Sequence, residues 1–201
     1  MPIKHAILLL LSFLCFAVNA DAQCGVKCGS ERWAVKTLTD RKVKNVRSSP
    51  VKRRSISWLR SREEPAEDGK SNTTRLTGIE TITFKVRAVI QGHVRESDRD
   101  YRVVLADEND PSQTVVAEFP SPRCRNVCRS RYVGRMKRAR TAYERSIGRP
   151  PTQYREMKKR IVVEVTGVGF WDLKYAKQQR GGAPNNIEIH PVLRFRVIKV
   201  N

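Results

Sequence analysis

From Ile82 onward the chain alternates, with Ile82, Phe84, Val86, Ala88 and Ile90 apolar and Thr83, Lys85, Arg87 and Gln91 polar between them. A period of two sends successive side chains to opposite faces of a strand, so this stretch buries one face and wets the other. Gly92 then interrupts the pattern, as a bulge or bend would. Tyr101, Val103 and Leu105 alternate with Arg102 and Val104 in a second strand, and Glu108 to Ser112 carries turn chemistry. Thr114 to Phe119 forms a third strand, ended by Pro120 and Pro122.

A helix follows. Tyr132, Met136, Ala139, Tyr143 and Ile147 recur three or four residues apart and make one apolar stripe. Gly148 is placed to stop it, and Pro150-Pro151 prevents continuation. Arg131, Arg135, Arg138 and Arg145 share a separate face of the same helix. Ile161, Val163 and Val165 make a fourth strand running into Gly167 and Gly169. Ile187, Ile189, Leu193, Phe195 and Val197 make a fifth, with Glu188, His190, Arg194 and Arg196 on its other face. This order predicts a mainly β domain over residues 76–201. Its expected form is an OB-fold-like five-stranded barrel, with one helix between strands three and four and a basic flexible segment before it. A fold of this kind does not by itself give a function.

Upstream the chain divides into three parts. Residues 1–22 read as a signal peptide: Lys4 supplies the positive start, Ala6 to Val18 is an apolar run too short to span a membrane, and Ala20-Asp21-Ala22 is a small-residue cleavage site. The expected location is therefore secreted or periplasmic, with no transmembrane segment in the mature chain. Residues 23–40 form an N-terminal arm, and residues 41–75 read as a basic flexible linker without periodicity, which Ile56, Trp58 and Leu59 give some means of docking.

The net charge of +20 is concentrated in two places. Residues 41–75 carry eleven bases against four acids, and residues 123–160 carry fourteen against two. With the leader removed, Cys24, Cys28, Cys124 and Cys128 remain. An even count in an exported chain reads as disulfides and leaves three connectivities open. Pairing across the two clusters closes a loop of about a hundred residues, worth up to ~4–5 kcal/mol by loop entropy, whereas local pairing staples almost nothing. Zinc is disfavoured, because structural zinc sites use tighter knuckles and reduced thiols.

The runs CGSERWAVKTLTD, DRDYRVVLAD, VVAEFPSPRC, ARTAY, and VTGVGFWD followed by APNNIEIHPVL resemble a group of uncharacterised exported bacterial proteins. They span most of the mature chain apart from the basic linker. The resemblance implies an exported domain of barrel type, with Cys24 or Cys28 paired to Cys124. It brings no activity with it. The second cysteine of each cluster and the density of Arg and Lys depart from the group's pattern.

Among possible chemical groups, Glu188 and His190 share a strand face, with Asp172 upstream and His93 far from both. No two stand at ligand spacing on one element, so the pattern favours a turn-capping Asp172 and a structural His190, with no metal, cofactor or catalytic residue assigned. The acids Glu96, Asp98, Asp100, Asp107, Glu108 and Asp110 flank the second strand and read as solvated turns. The loop after strand four holds Lys174, Tyr175, Lys177 and Arg180, cations with an aromatic platform suited to single-stranded nucleic acid. The arginine face and this loop together predict a binding module for an anionic polymer: nucleic acid, an acidic polysaccharide or an envelope surface. The alternative is a structural or protein-interaction domain of the cell envelope without polyanion specificity. Nothing in the sequence indicates an enzyme or sets the oligomeric state.

Overall fold

A computed structural model describes residues 25–66, 74–174 and 179–201. The expected signal peptide and Cys24 lie outside the described residues, as do Tyr175 and Lys177. Among the described residues no helix is long and apolar enough to cross a membrane.

The protein is mainly β, built on one mixed six-stranded sheet ordered β1-β2-β3-β4-β6-β5. The strands are β1 (Arg47–Arg53), β2 (Ile82–Arg95), β3 (Tyr101–Ala106), β4 (Thr114–Phe119), β5 (Arg155–Trp171) and β6 (Ile187–Val200). The helices are α1 (Trp33–Lys36), α2 (Ile56–Arg60), α3 (Arg125–Arg129) and α4 (Val133–Ile147). β2 is antiparallel to both β3 and β5, so pairing that runs out through β3, β4, β6 and β5 returns to β2. Its register shifts between Ile90 and Gly92, the bulge expected there. A Cβ on Gly92 would collide with the Tyr154 ring and the Arg155 carbonyl.

The strand count corrects the sequence reading of five. The sixth, β1, comes from the segment read as a flexible linker. It pairs in parallel with β2, almost wholly exposed, and so shows no alternation. Its Pro50 is tolerable because β1 is an edge strand. The next turn of chain is anchored as well: the Ser55 side chain caps α2 by accepting from the Trp58 amide, and Ile56 and Leu59 are completely buried. β5 also begins earlier than expected, at Arg155, through a stretch exposed on both faces that alternation does not reveal.

Two apolar cores result. The larger joins the inward residues of β2 to β6, including Phe84, Val103, Phe119, Val165 and Phe195, with Ala139 and Tyr143 of α4 and with Ile56 and Leu59 of α2. The smaller packs the N-terminal arm, through Trp33 and Leu38, and Val46 of the basic segment against Val168, Leu193, Val127 and Met136. Cys28 and Cys124, 96 residues apart, are joined by a disulfide that closes the arm onto the start of α3. This is one of the two Cys124 pairings that the resemblance implied. Cys128 is disulfide-bonded as well.

Candidate functional site

α4 ends where its sequence indicated, at Gly148 with φ 94°. Its apolar stripe faces the cores, which leaves two polar flanks. Lys137, Arg140, Thr141 and Glu144, spaced i, i+3, i+4, i+7, form the flank that meets the β2–β3 turn and the chain after the helix. Together they border an open cleft of about 730 Å³. Its cations are Arg95, Arg99, Arg123, Lys137, Arg140 and Arg149, against the carboxylates of Glu96 and Glu144. Arg140 is a buried brace: it donates to the Phe119 and Arg99 carbonyls at 2.6 and 2.9 Å and lies over the Tyr101 ring. Arg149 pairs with Glu144 at 3.3 Å. Among the described residues no ion pair ties the side chains of Arg95, Arg99, Arg123 or Lys137.

None of the four arginines singled out in sequence borders this cleft. Arg138 and Arg145, exposed, and Arg135, half-buried, lie on the other polar flank of α4, whereas Arg131, also exposed, sits in the turn before the helix and not on its face as the sequence suggested. Arg131 donates to the Val43 carbonyl at 3.1 Å and so helps hold the start of the basic segment. In the loop after β5, Lys174 and Arg180 are exposed. Arg180 pairs with Glu156 at 3.6 Å and stacks on Tyr154. Trp171 is buried, in phase with Val163 and Val165.

A second cleft, of about 280 Å³, shares Glu96 and Ser97 with the first. Its sign is opposite: Glu31, Glu96, Asp98, Glu118 and Asp172 border it, with Lys36. Asp100 was expected in a solvated turn, but it is fully buried and accepts from the Ser121 amide at 2.9 Å. The parallel pairing of β4 with β6 sets Val116 beside Glu188 and Ala117 beside Ile189, which brings Glu118 level with His190. His190 Nδ1 lies 3.1 Å from Glu118 Oε2 and 3.7 Å from Glu188 Oε2, and its Nε2 lies 3.7 Å from Asp100 Oδ2.

The electrostatics follow from burial. Burial opposes charge on His190, but the Glu118 carboxylate, aided by Glu188, overcomes it and raises the imidazole to about 10. Burial likewise opposes charge on Glu118, yet His190, Lys36 and Arg102 hold it down at about 2. Glu188 is pushed up to about 7 by burial and by Glu118 and Asp172 beside it. Asp100 is raised well above the carboxylate range by burial and by Asp98. The site therefore holds more carboxylates than its cations neutralise.

Sequence reading noted Glu188 and His190 on one face but did not connect them to Asp100 and Glu118. Glu118 alternates with apolar neighbours in a strand buried on both faces, so its position carried no signal of its own. His93, the other histidine among the described residues, is a core residue sharing a 2.7 Å hydrogen bond with the Tyr143 hydroxyl. Comparison with protein-family models, with curated proteins and with solved structures finds no match to this chain.

Proposed function

We propose that this chain is an exported, OB-like β-barrel that binds an anionic polymer along the cleft between α4 and the β2–β3 turn. Support for the barrel comes from the pairing that returns to β2, the bulge at Gly92 in a long first barrel strand, and the helix between β4 and β5. The observation that carries the function is the charge of the open cleft: six cations against two carboxylates, four of the cations in no ion pair among the described residues. Cations held along a groove attract a polyanion and release its counterions, a sequence-independent contribution to affinity. The cleft, more than the outer arginine face, is the expected contact, because a concave wall reaches several anionic groups of one strand at once.

The test compares two charge-neutralised proteins by titration with single-stranded DNA and with heparin at two salt concentrations. One carries Arg95→Gln, Lys137→Gln and Arg149→Gln, and the other Gln at Arg131, Arg135, Arg138 and Arg145. The cleft variant is expected to bind more weakly and to lower the salt slope by about 0.7–0.9 per lost phosphate contact. Unchanged binding by a folded cleft variant sinks this reading. Loss confined to the outer-face variant moves the site to that flank. No binding by the parent leaves the envelope interaction domain as the account.

A further inference from the structure

We infer that Asp100, Glu118 and His190 form a binding site for one divalent transition-metal ion, entered from the acid-lined cleft. Each of the three offers one ligand atom, and these atoms lie within 4.8 Å of one another. One imidazole nitrogen with two carboxylate oxygens suits divalent first-row ions such as Mn²⁺, for the oxygens, and Zn²⁺, for the mixed set.

Two observations beyond proximity favour an ion. The first is unmet bonding. His190 and Asp100 are 0% exposed and Glu118 is 3% exposed. Among the described residues no hydrogen bond reaches His190 Nε2 or Asp100 Oδ2, while His190 Nδ1 faces Glu118 Oε2 at 3.1 Å. Buried polar atoms are nearly always partnered, so His190 Nε2 and Asp100 Oδ2, facing each other without a hydrogen bond, favour an occupant between them. The second is spacing. His190 Nε2 and Asp100 Oδ2 stand 3.7 Å apart, too far for a hydrogen bond. At metal–ligand lengths of about 2.1 Å the same separation subtends an angle of roughly 120°, within the range of a tetrahedral or distorted site.

The surroundings hold the ligands in place. The Ser121 amide fixes Asp100 Oδ1 and leaves Oδ2 directed at His190. Arg102, 3.9 Å from Glu118, and Glu188, 3.7 Å from His190, flank the set. Access follows from Glu118, which also borders the second cleft with Glu31, Glu96, Asp98 and Asp172. Their negative field concentrates cations at the entrance of a protein that is otherwise strongly positive. The competing account is a metal-free imidazolium held between carboxylates.

Untagged, disulfide-intact protein is stripped with chelator, desalted, and titrated separately with MnCl₂ and ZnCl₂ by calorimetry, with metal analysis after a second desalting. One equivalent per chain is expected, with at least tenfold weaker binding in Asp100→Asn and His190→Gln and a rise in melting temperature with metal in the parent. Those variants are checked for folding by circular dichroism. Should either fail to fold, electron spin-echo spectra of the Mn²⁺-loaded parent decide instead. One imidazole nitrogen is expected on the ion, and it should persist in His93→Gln. No uptake by the parent, undiminished uptake by folded variants, or bound Mn²⁺ without a nitrogen ligand overturns the site and leaves the ion-pair account.

Discussion

Arg32 and Glu80 meet through two nitrogen–oxygen contacts, at 2.6 and 3.0 Å, with both side chains wholly buried. Glu80 also accepts from the Leu76 and Trp171 amides, so its carboxylate joins the arm, the entry to β2 and the end of β5. Removing one partner of such a pair strands a charge in the interior, whereas removing both leaves none. Glu80→Gln is expected to lower stability by about 3–5 kcal/mol, and Arg32→Met with Glu80→Gln by less. Urea unfolding of the oxidised proteins checks both, and a double variant worse than the single would contradict the argument.

Leu59→Ala tests whether the basic segment belongs to the fold. Leu59 is fully buried against the main core, so its truncation is expected to cost about 2–5 kcal/mol in chemical unfolding. The same change in a solvated tether would be nearly neutral.

The disulfide between Cys28 and Cys124 spans 96 residues. Replacing Cys28, Cys124 and Cys128 by Ser, so that the second disulfide does not hold the unfolded chain, is expected to remove about 4 kcal/mol, chiefly by freeing that chain. Peptide mapping of unreduced protein should recover a fragment joining Cys28 to Cys124, and Cys28 found linked elsewhere would refute the pairing.

His93 sets a pH dependence of known sign. Burial, followed by the nearby Arg155 cation, holds its pKa below 6.5. Its neutral form is thus favoured in the fold, and below about pH 6.5 the unfolded chain gains a proton that the folded chain resists. This contribution to stability is present above that pH and is lost as pH falls towards the depressed folded value. The stability gap between parent and His93→Gln should narrow on going from pH 7.5 to pH 5.5. A gap that holds constant in paired unfolding curves would show that His93 does not titrate in this way.

Most of the sheet and the helix α4 can be read from local order. Alternation locates β2, β3 and β6, a short run closed by Pro120 and Pro122 locates β4, the apolar stripe locates α4, and Gly148 ends it, because each signal lies between a side chain and its own near neighbours. β1 escaped that reading for the converse reason. Its residues are almost all exposed, and its strand conformation comes from parallel pairing with β2 rather than from a buried face. Arg32 and Arg75 likewise count as two more cations in a basic chain until Glu80 and Asp40 meet them in the interior.

The site shows the same division. Composition alone determined that this protein presents an excess of positive charge, and helical periodicity placed arginines along one flank of α4. Only the tertiary structure decided which cations border a cleft, since that depends on where the β2–β3 turn meets the helix. It decided, too, that Asp100, Glu118 and His190 converge, because they enter from the start of β3, from β4 and from β6 through a parallel pairing between strands far apart in the chain. Spacing along a sequence carries no trace of such a contact. Its physical cause is the order in which the strands pair, and that order is settled by the burial of the whole sheet.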